Sequence, residues 1–276
     1  MRKNKTPPLI LLSCCLLFSG CFSFEPTYSK EKIEEQIVTL CKTEYNIEPR
    51  VWLVGETVWI YMPFAHIITK DIQLDKDFLE KLNKVMMGSS RVLLSMKPRP
   101  QFMAMVASDI KEYGLDYIML TWIPDIVKYQ MEFISRDEFS RRTVVKAKEN
   151  ILAINDSAGE HIEKTDIKMG DFLAEQIAQR IRAKFQDLKL KDYFSVERVS
   201  CEFKDYDFKL SYDIKKTKPL KNGEIDIQKE ILKLIAYVIK EYEFKDFLVA
   251  QLQDLETKGL STFNRMSIKQ YLKKKP

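Results

Sequence analysis

Two stretches of this 276-residue chain align without a gap at an offset of 145. Gln101-Phe102-Met103-Ala104 lies over Asp246-Phe247-Leu248-Val249, and Asp109 to Leu115 lies over Asp254 to Leu260, so that Phe, Asp, Gly and Leu coincide. Glycine is scarce, 8 residues in all, where ~7% is usual. The superposition of Gly114 on Gly259 therefore carries more weight than an apolar match would. Upstream, Glu35-Gln36-Ile37 repeats as Glu175-Gln176-Ile177 at an offset of 140. A chain written twice folds into two similar units, each burying its own apolar face.

The periodicities follow the same order in both copies. In the first, Ile33, Ile37, Leu40 and Cys41 keep a helical period over about 30–45. A hairpin over 50–62 comes next, then a helix capped by Asp75 that lines up Phe78, Leu82, Val85, Met86 and Leu93 until Pro98 and Pro100 stop it. Strands at 101–108 and 115–123 close the copy. Residues 101–113 also fit a helical period, but their register with 246–252 favours strand. The second copy reads as a helix over 171–186, a hairpin over 194–214, a helix over 225–241 and a strand over 246–252 before the Gly259 turn. The expected fold is α+β, two tandem αββαββ-like units with helices on one face of a small antiparallel sheet. Their bounds are 30–123 and 166–276. Residues 124–165 form a connector with a short helix behind a Ser135–Glu138 capping box and a polar loop from Asn155 to Gly159.

The two hairpins differ. Gly55-Glu56 suits a two-residue type II′ turn, which sets Trp52 opposite Trp59 with Tyr61 beyond them on one face. Val51, Leu53, Val58 and Ile60 fill the other. With both faces apolar, this hairpin needs a second cover: the other unit, the connector, a protein partner or the membrane. Trp52, Trp59 and Tyr61 are thus either internal core or a candidate interaction face. In the second hairpin Val199, Cys201, Phe203, Phe208, Leu210 and Tyr212 alternate with polar residues, which predicts one wet face.

Several functions are excluded or unsupported. The eight glycines never stand closer than 11 residues apart, so no GxGxxG or Walker loop exists and no nucleotide is expected. Two histidines and no paired-cysteine spacing argue against a zinc site; no metal and no cofactor is expected. Setting aside Arg2, Lys3 and Lys5 leaves 42 Lys and Arg against 40 Asp and Glu. That balance offers no basic stripe for nucleic acid. His66 and His161 are isolated, and Ser89-Ser90 lacks a nucleophile elbow. Asp75, Asp77, Asp125, Asp205 and Asp207 read as caps and turns, and Arg136, Arg141, Arg142 and Lys273–Lys275 as solvated charge. No catalytic residue is expected. Cys41 and Cys201 read as buried free thiols, with pairing the alternative in an exported chain.

The N-terminus has its own pattern. A basic Arg2–Lys5 stretch precedes the apolar run Leu9–Phe18, then Ser19-Gly20-Cys21. A run of about ten residues is half of the ~20 that span a bilayer, so it reads as a signal-peptide core. Leu17-Phe18-Ser19-Gly20-Cys21 resembles the lipobox of bacterial lipoprotein precursors, with Phe18 where leucine is usual. The resemblance implies a signal peptide over 1–20, lipidation at Cys21, a tether over 21–29 and a location in the bacterial cell envelope, facing the periplasm or cell exterior. Two or three acyl chains at ~0.8 kcal/mol per buried CH₂ would make the membrane a standing partner. The expected function is a lipid-anchored, non-catalytic adaptor that binds or scaffolds envelope proteins. The alternatives are a solute-binding lipoprotein or an envelope hydrolase working through scattered carboxylates on a cell-wall or sugar substrate.

Overall fold

The computed structural model describes residues 28–220 and 224–272. The first unit runs α1 (Ile33–Tyr45), β1 (Arg50–Val54), β2 (Thr57–Phe64), α2 (Lys76–Leu94), β3 (Phe102–Asp109) and β4 (Leu115–Trp122). Next come α3 (Ile123–Gln130), α4 (Arg136–Arg142) and β5 (Val144–Glu149). The second unit repeats the opening order as α5 (Met169–Phe185), β6 (Phe194–Lys204), β7 (Asp207–Lys216), α6 (Ile227–Glu241), β8 (Val249–Asp254) and β9 (Leu260–Asn264), followed by α7 (Arg265–Gln270). The chain is a mixed α/β protein with two sheets, ordered β1-β2-β3-β4-β5 and β6-β7-β8-β9, and helices packed on them.

Local signals act where the sequence places them. Asp75 accepts from the Phe78 N–H at the start of α2, and Ser135 from the Glu138 N–H at the start of α4. Gly55 turns the first hairpin with φ +60°, and Trp52 pairs with Trp59. In the second hairpin Asp205 and Tyr206 both take positive φ, the conformation of a type I′ turn.

One expectation changes: the sheets are not wholly antiparallel. β2 pairs with β3, and β7 with β8, in parallel. A helix lies between the two strands of each pair and carries the chain back to the starting end, and such a crossover makes strands parallel. The helices α1 and α2 bury Val51, Val58, Ile60, Met62, Met103, Met105 and Ala107 from one side. In the second unit α5 and α6 do the same for Val199, Phe208, Leu210, Tyr212, Ala250 and Leu252. The opposite face there carries Ser200, Glu202, Lys209 and Ser211, the predicted wet face.

The turns after β3 and β8 obey the 145-residue register only in part. Asp109 accepts from the N–H groups of Lys111 and Glu112, and Asp254 from those of Glu256 and Thr257. The left-handed residue, however, is Gly114 (φ +57°) in one and Lys258 (φ +58°) in the other. Ser108 pairs with Asp116, whereas Gln253 pairs with Leu260, so the second loop is one residue shorter. Gly114 and Gly259 share a turn but not a conformation. What Gly114 serves is β5, whose continuation brings Asn150 N–H within 2.5 Å of the Gly114 carbonyl oxygen.

Candidate functional site

The second apolar face of the first sheet is covered from within the chain. Trp59 is 9% exposed and Tyr61 fully buried, packed with Ala104 and Val106 and against Ile162 and Ile167. The Trp59 indole N–H donates to the Thr165 carbonyl at 2.9 Å, and the Tyr61 hydroxyl to that of Asp156 at 2.5 Å. Burial foremost pushes the Tyr61 phenol up to about 12. Trp52 is half-buried, with Lys164 Nζ 4.4 Å from its ring. Connector residues are therefore the cover, and Trp59 and Tyr61 form internal core, not an open interaction face. Cys21 lies outside the described residues.

The same cover assembles a polar cluster that spacing alone does not announce. His161 Nδ1 lies 2.5 Å from Asp156 Oδ2, and Nε2 lies 3.1 Å from Asp116 Oδ1. Ser108 donates to Asp116 at 2.5 Å and Asn150 donates to the other Asp116 oxygen at 2.8 Å. Aspartate, histidine and serine stand in the order of a nucleophilic triad, but the arrangement does not serve that chemistry. Ser108 is 3.4 Å from His161 Nε2, its proton goes to Asp116, and it is fully buried. The His161 side chain is 2% exposed, so no substrate reaches the hydroxyl. The cluster instead fastens the connector to the ends of β3 and β4. Although burial pushes the Asp156 carboxyl up, hydrogen bonds from the His161 N–H and ring and from the Ala158 and Gly159 N–H groups hold it at about 2. The legible signal was polar Ser108 and Asp116 interrupting two apolar strands.

A second network joins the units. Arg142 contacts Glu138 (2.8 Å), Asp125 (3.0 Å) and Glu241 (3.1 Å), and the Tyr242 hydroxyl donates to Asp125 at 2.9 Å. Arg180 Nη2 lies 2.9 Å from Glu241 Oε2, an ion pair without hydrogen-bond alignment. Burial raises the Glu241 carboxyl against the pull of Arg180 and Arg142, and its contact with Glu138 adds to the rise. Arg142 is thus buried, not solvated as expected, while Arg141 stays 61% exposed.

Among the described residues, two concavities flank β4. A cleft of about 490 Å³ between the units is floored by Trp59 and Leu120 and spanned by the Lys146–Glu175 ion pair at 2.5 Å. A groove of about 460 Å³ opens on the helix side of β4 and β5, where α2 on one flank and α3–α4 on the other leave the sheet uncovered. Met86, Met87, Met119, Tyr117, Tyr129 and Phe139 line it, the last two stacked with centroids 4.8 Å apart. Met87 is 57% exposed; Met131 at 61% and Phe133 at 75% are exposed on the α3–α4 loop, outside the groove lining. Among the described residues the second unit has no fifth strand and no α3–α4 pair to build a counterpart. Met86 is legible in the sequence only as part of a helix face and Met87 not at all, because the groove needs β5 beside β4.

Cys41 and Cys201 are both free, Cys41 buried and Cys201 partly so. Burial pushes the Cys41 thiol up to about 11, away from nucleophilic use at neutral pH. Among the described residues no group of three or more His, Cys, Asp and Glu could hold a metal ion, and no helix is long and apolar enough to cross a membrane. No model of a known protein family and no curated protein matches the chain.

Proposed function

We propose that this chain is a lipid-anchored protein of the bacterial cell envelope that acts close to the membrane as a non-catalytic adaptor. The Leu17–Cys21 pattern supports the anchor. The observation that carries the binding role is the open methionine and aromatic groove over β4 and β5. Exposed apolar surface of this kind marks interaction sites, and flexible thioethers repack around varied apolar partners. Its occupant is the apolar face of an amphipathic segment on another envelope protein.

Two substitutions test the two halves separately. Cys21→Ala should abolish fatty-acid labelling and release the protein from membranes or leave it unprocessed; normal acylation would sink the anchor. Met87→Asp, at an exposed groove position, should leave the melting temperature unchanged while capture of the partner from solubilised membranes falls by about tenfold or more, as truncating an interface anchor does. Undiminished capture would remove the groove from the reading.

The inter-unit cleft favours a solute-binding role, but closing on a solute would require the units to rotate. The Arg142–Glu241 ion pair and the Tyr242–Asp125 hydrogen bond tie them together, so the adaptor reading stands first.

A further inference from the structure

Each sheet has two outer strands, and an outer strand presents backbone groups that can pair with another chain unless they are blocked. Three of the four are blocked by side chains from neighbouring helices. On β1 the Leu53 N–H donates to Glu34 of α1 at 2.8 Å. On β5 the Val145 N–H donates to Gln179 of α5 at 2.8 Å. On β6 the Val199 carbonyl accepts from Arg182 of α5 at 2.6 Å, and that strand also carries a register shift between Val196 and Arg198. Charged residues add to the protection: Arg50 on β1, Lys146 and Lys148 on β5, Glu197 and Arg198 on β6.

β9 has none of this. Its sequence, Leu-Ser-Thr-Phe-Asn, contains no charge and no proline. Its residues pair with β8 one for one. Among the described residues nothing beyond β8 bonds to the backbone of 260–263. Leu260 is 67% exposed and Thr262 is exposed. The duplication shows what this edge accepts. β9 is the counterpart of β4, and β4 takes β5 beside it as an antiparallel fifth strand, from Leu115↔Glu149 to Leu120↔Val144.

We propose that the open edge of β9 pairs with β9 of a second copy of this chain, antiparallel about a two-fold axis near Thr262. The two four-stranded sheets then form one continuous sheet. Self-pairing suits this strand because no like charges meet across the axis. Thr262 faces its own counterpart, a favourable cross-strand pair, and the exposed Leu260 lies along Asn264 of the second copy. A two-fold contact is also closed, so assembly stops at the dimer. One five-residue strand pair falls short of the ~1,200–2,000 Å² buried by stable complexes, so the dimer forms reversibly and dissociates on dilution. This surface is distinct from the groove, and its outcome does not depend on that reading.

The full chain in detergent tests it. Sedimentation velocity over a wide concentration range should show the wild type passing from monomer to dimer. Thr262→Lys, which places like charges opposite one another at the axis, should weaken the dimer at least tenfold with an unchanged melting temperature. Thr262→Cys should form a covalent dimer under mild oxidation, since paired strands bring the two Cα atoms within disulfide reach. Tyr237→Cys, exposed on α6, should not. A wild type that stays monomeric, a Thr262→Lys variant that dimerises equally well, or a Thr262→Cys variant that fails to cross-link would each overturn the proposal. The cross-link decides the matter even if the lysine variant unfolds.

Discussion

Trp59 shows how one side chain reports on what covers a sheet. Its ring is buried beneath the connector and its N–H is satisfied by Thr165. Trp59→Ala should therefore cost ~3–5 kcal/mol, the usual penalty for deleting a large buried aromatic, readable in chemical denaturation. A loss below about 1 kcal/mol, the typical size of an average substitution, would mean the connector does not seal this face. Asp156 acts on the same contact through its charge. Its carboxyl is held at about 2 in the folded chain, below the ~3.9 of an unperturbed aspartate. A depressed folded value stabilises the protein above the unfolded value, and that stability is lost as pH falls from about 4 to about 2. The stability gap between wild type and Asp156→Asn should shrink by about 2 kcal/mol over that interval. A gap independent of pH would show that the carboxylate is not tied down as the bonds to His161 and Gly159 imply.

At the scale of elements, the two copies of one turn should answer differently to the same change. An added Cβ at Gly114 would sit 2.7 Å from the Asn150 carbonyl oxygen, a backbone atom, in a left-handed conformation. At Gly259 the nearest atom is Thr257 Oγ1 at 3.1 Å, on an exposed side chain that can rotate, and φ is not positive. Gly114→Ala should destabilise by about 1–3 kcal/mol, whereas Gly259→Ala should fall within ~0.5 kcal/mol of wild type. Equal losses measured by thermal melting would contradict the one-residue difference between the loops. The element that creates the contrast is β5. It was not legible because Val144-Val145-Lys146-Ala147-Lys148-Glu149 is short, charged and embedded in a connector. Nothing in its period separates it from a loop until β4 supplies a partner. The parallel pairs were hidden for a related reason. Strand patterns record which faces are apolar, not the direction in which a neighbour runs.

Across the whole molecule, the units are joined by buried charge. Arg142 comes from α4, Asp125 from α3, Glu241 from α6 and Arg180 from α5. Removing one partner from such a network leaves uncompensated buried charge, at a cost of ~3–5 kcal/mol. Arg142→Met should therefore lower stability by that amount, read as a drop in the unfolding midpoint. An unchanged midpoint would show that apolar contacts such as Phe102 against Phe172, centroids 5.3 Å apart, suffice to couple the units.

Periodicity, capping residues and the repeated Asp–Gly–Leu turn by themselves determined the α+β class, the order of elements in both copies, the Trp52–Trp59 pairing and the wet face of the second hairpin. These properties depend on residues a few positions apart, or on patterns that recur. Tertiary structure alone decided what lies over the first hairpin, which carboxylates meet His161 and Arg142, that a fifth strand joins the first sheet, and where an apolar groove stays open. They depend on contacts such as Asn150–Asp116 and Tyr242–Asp125, 34 and 117 positions apart, and the chain records no distance of that kind until it has folded.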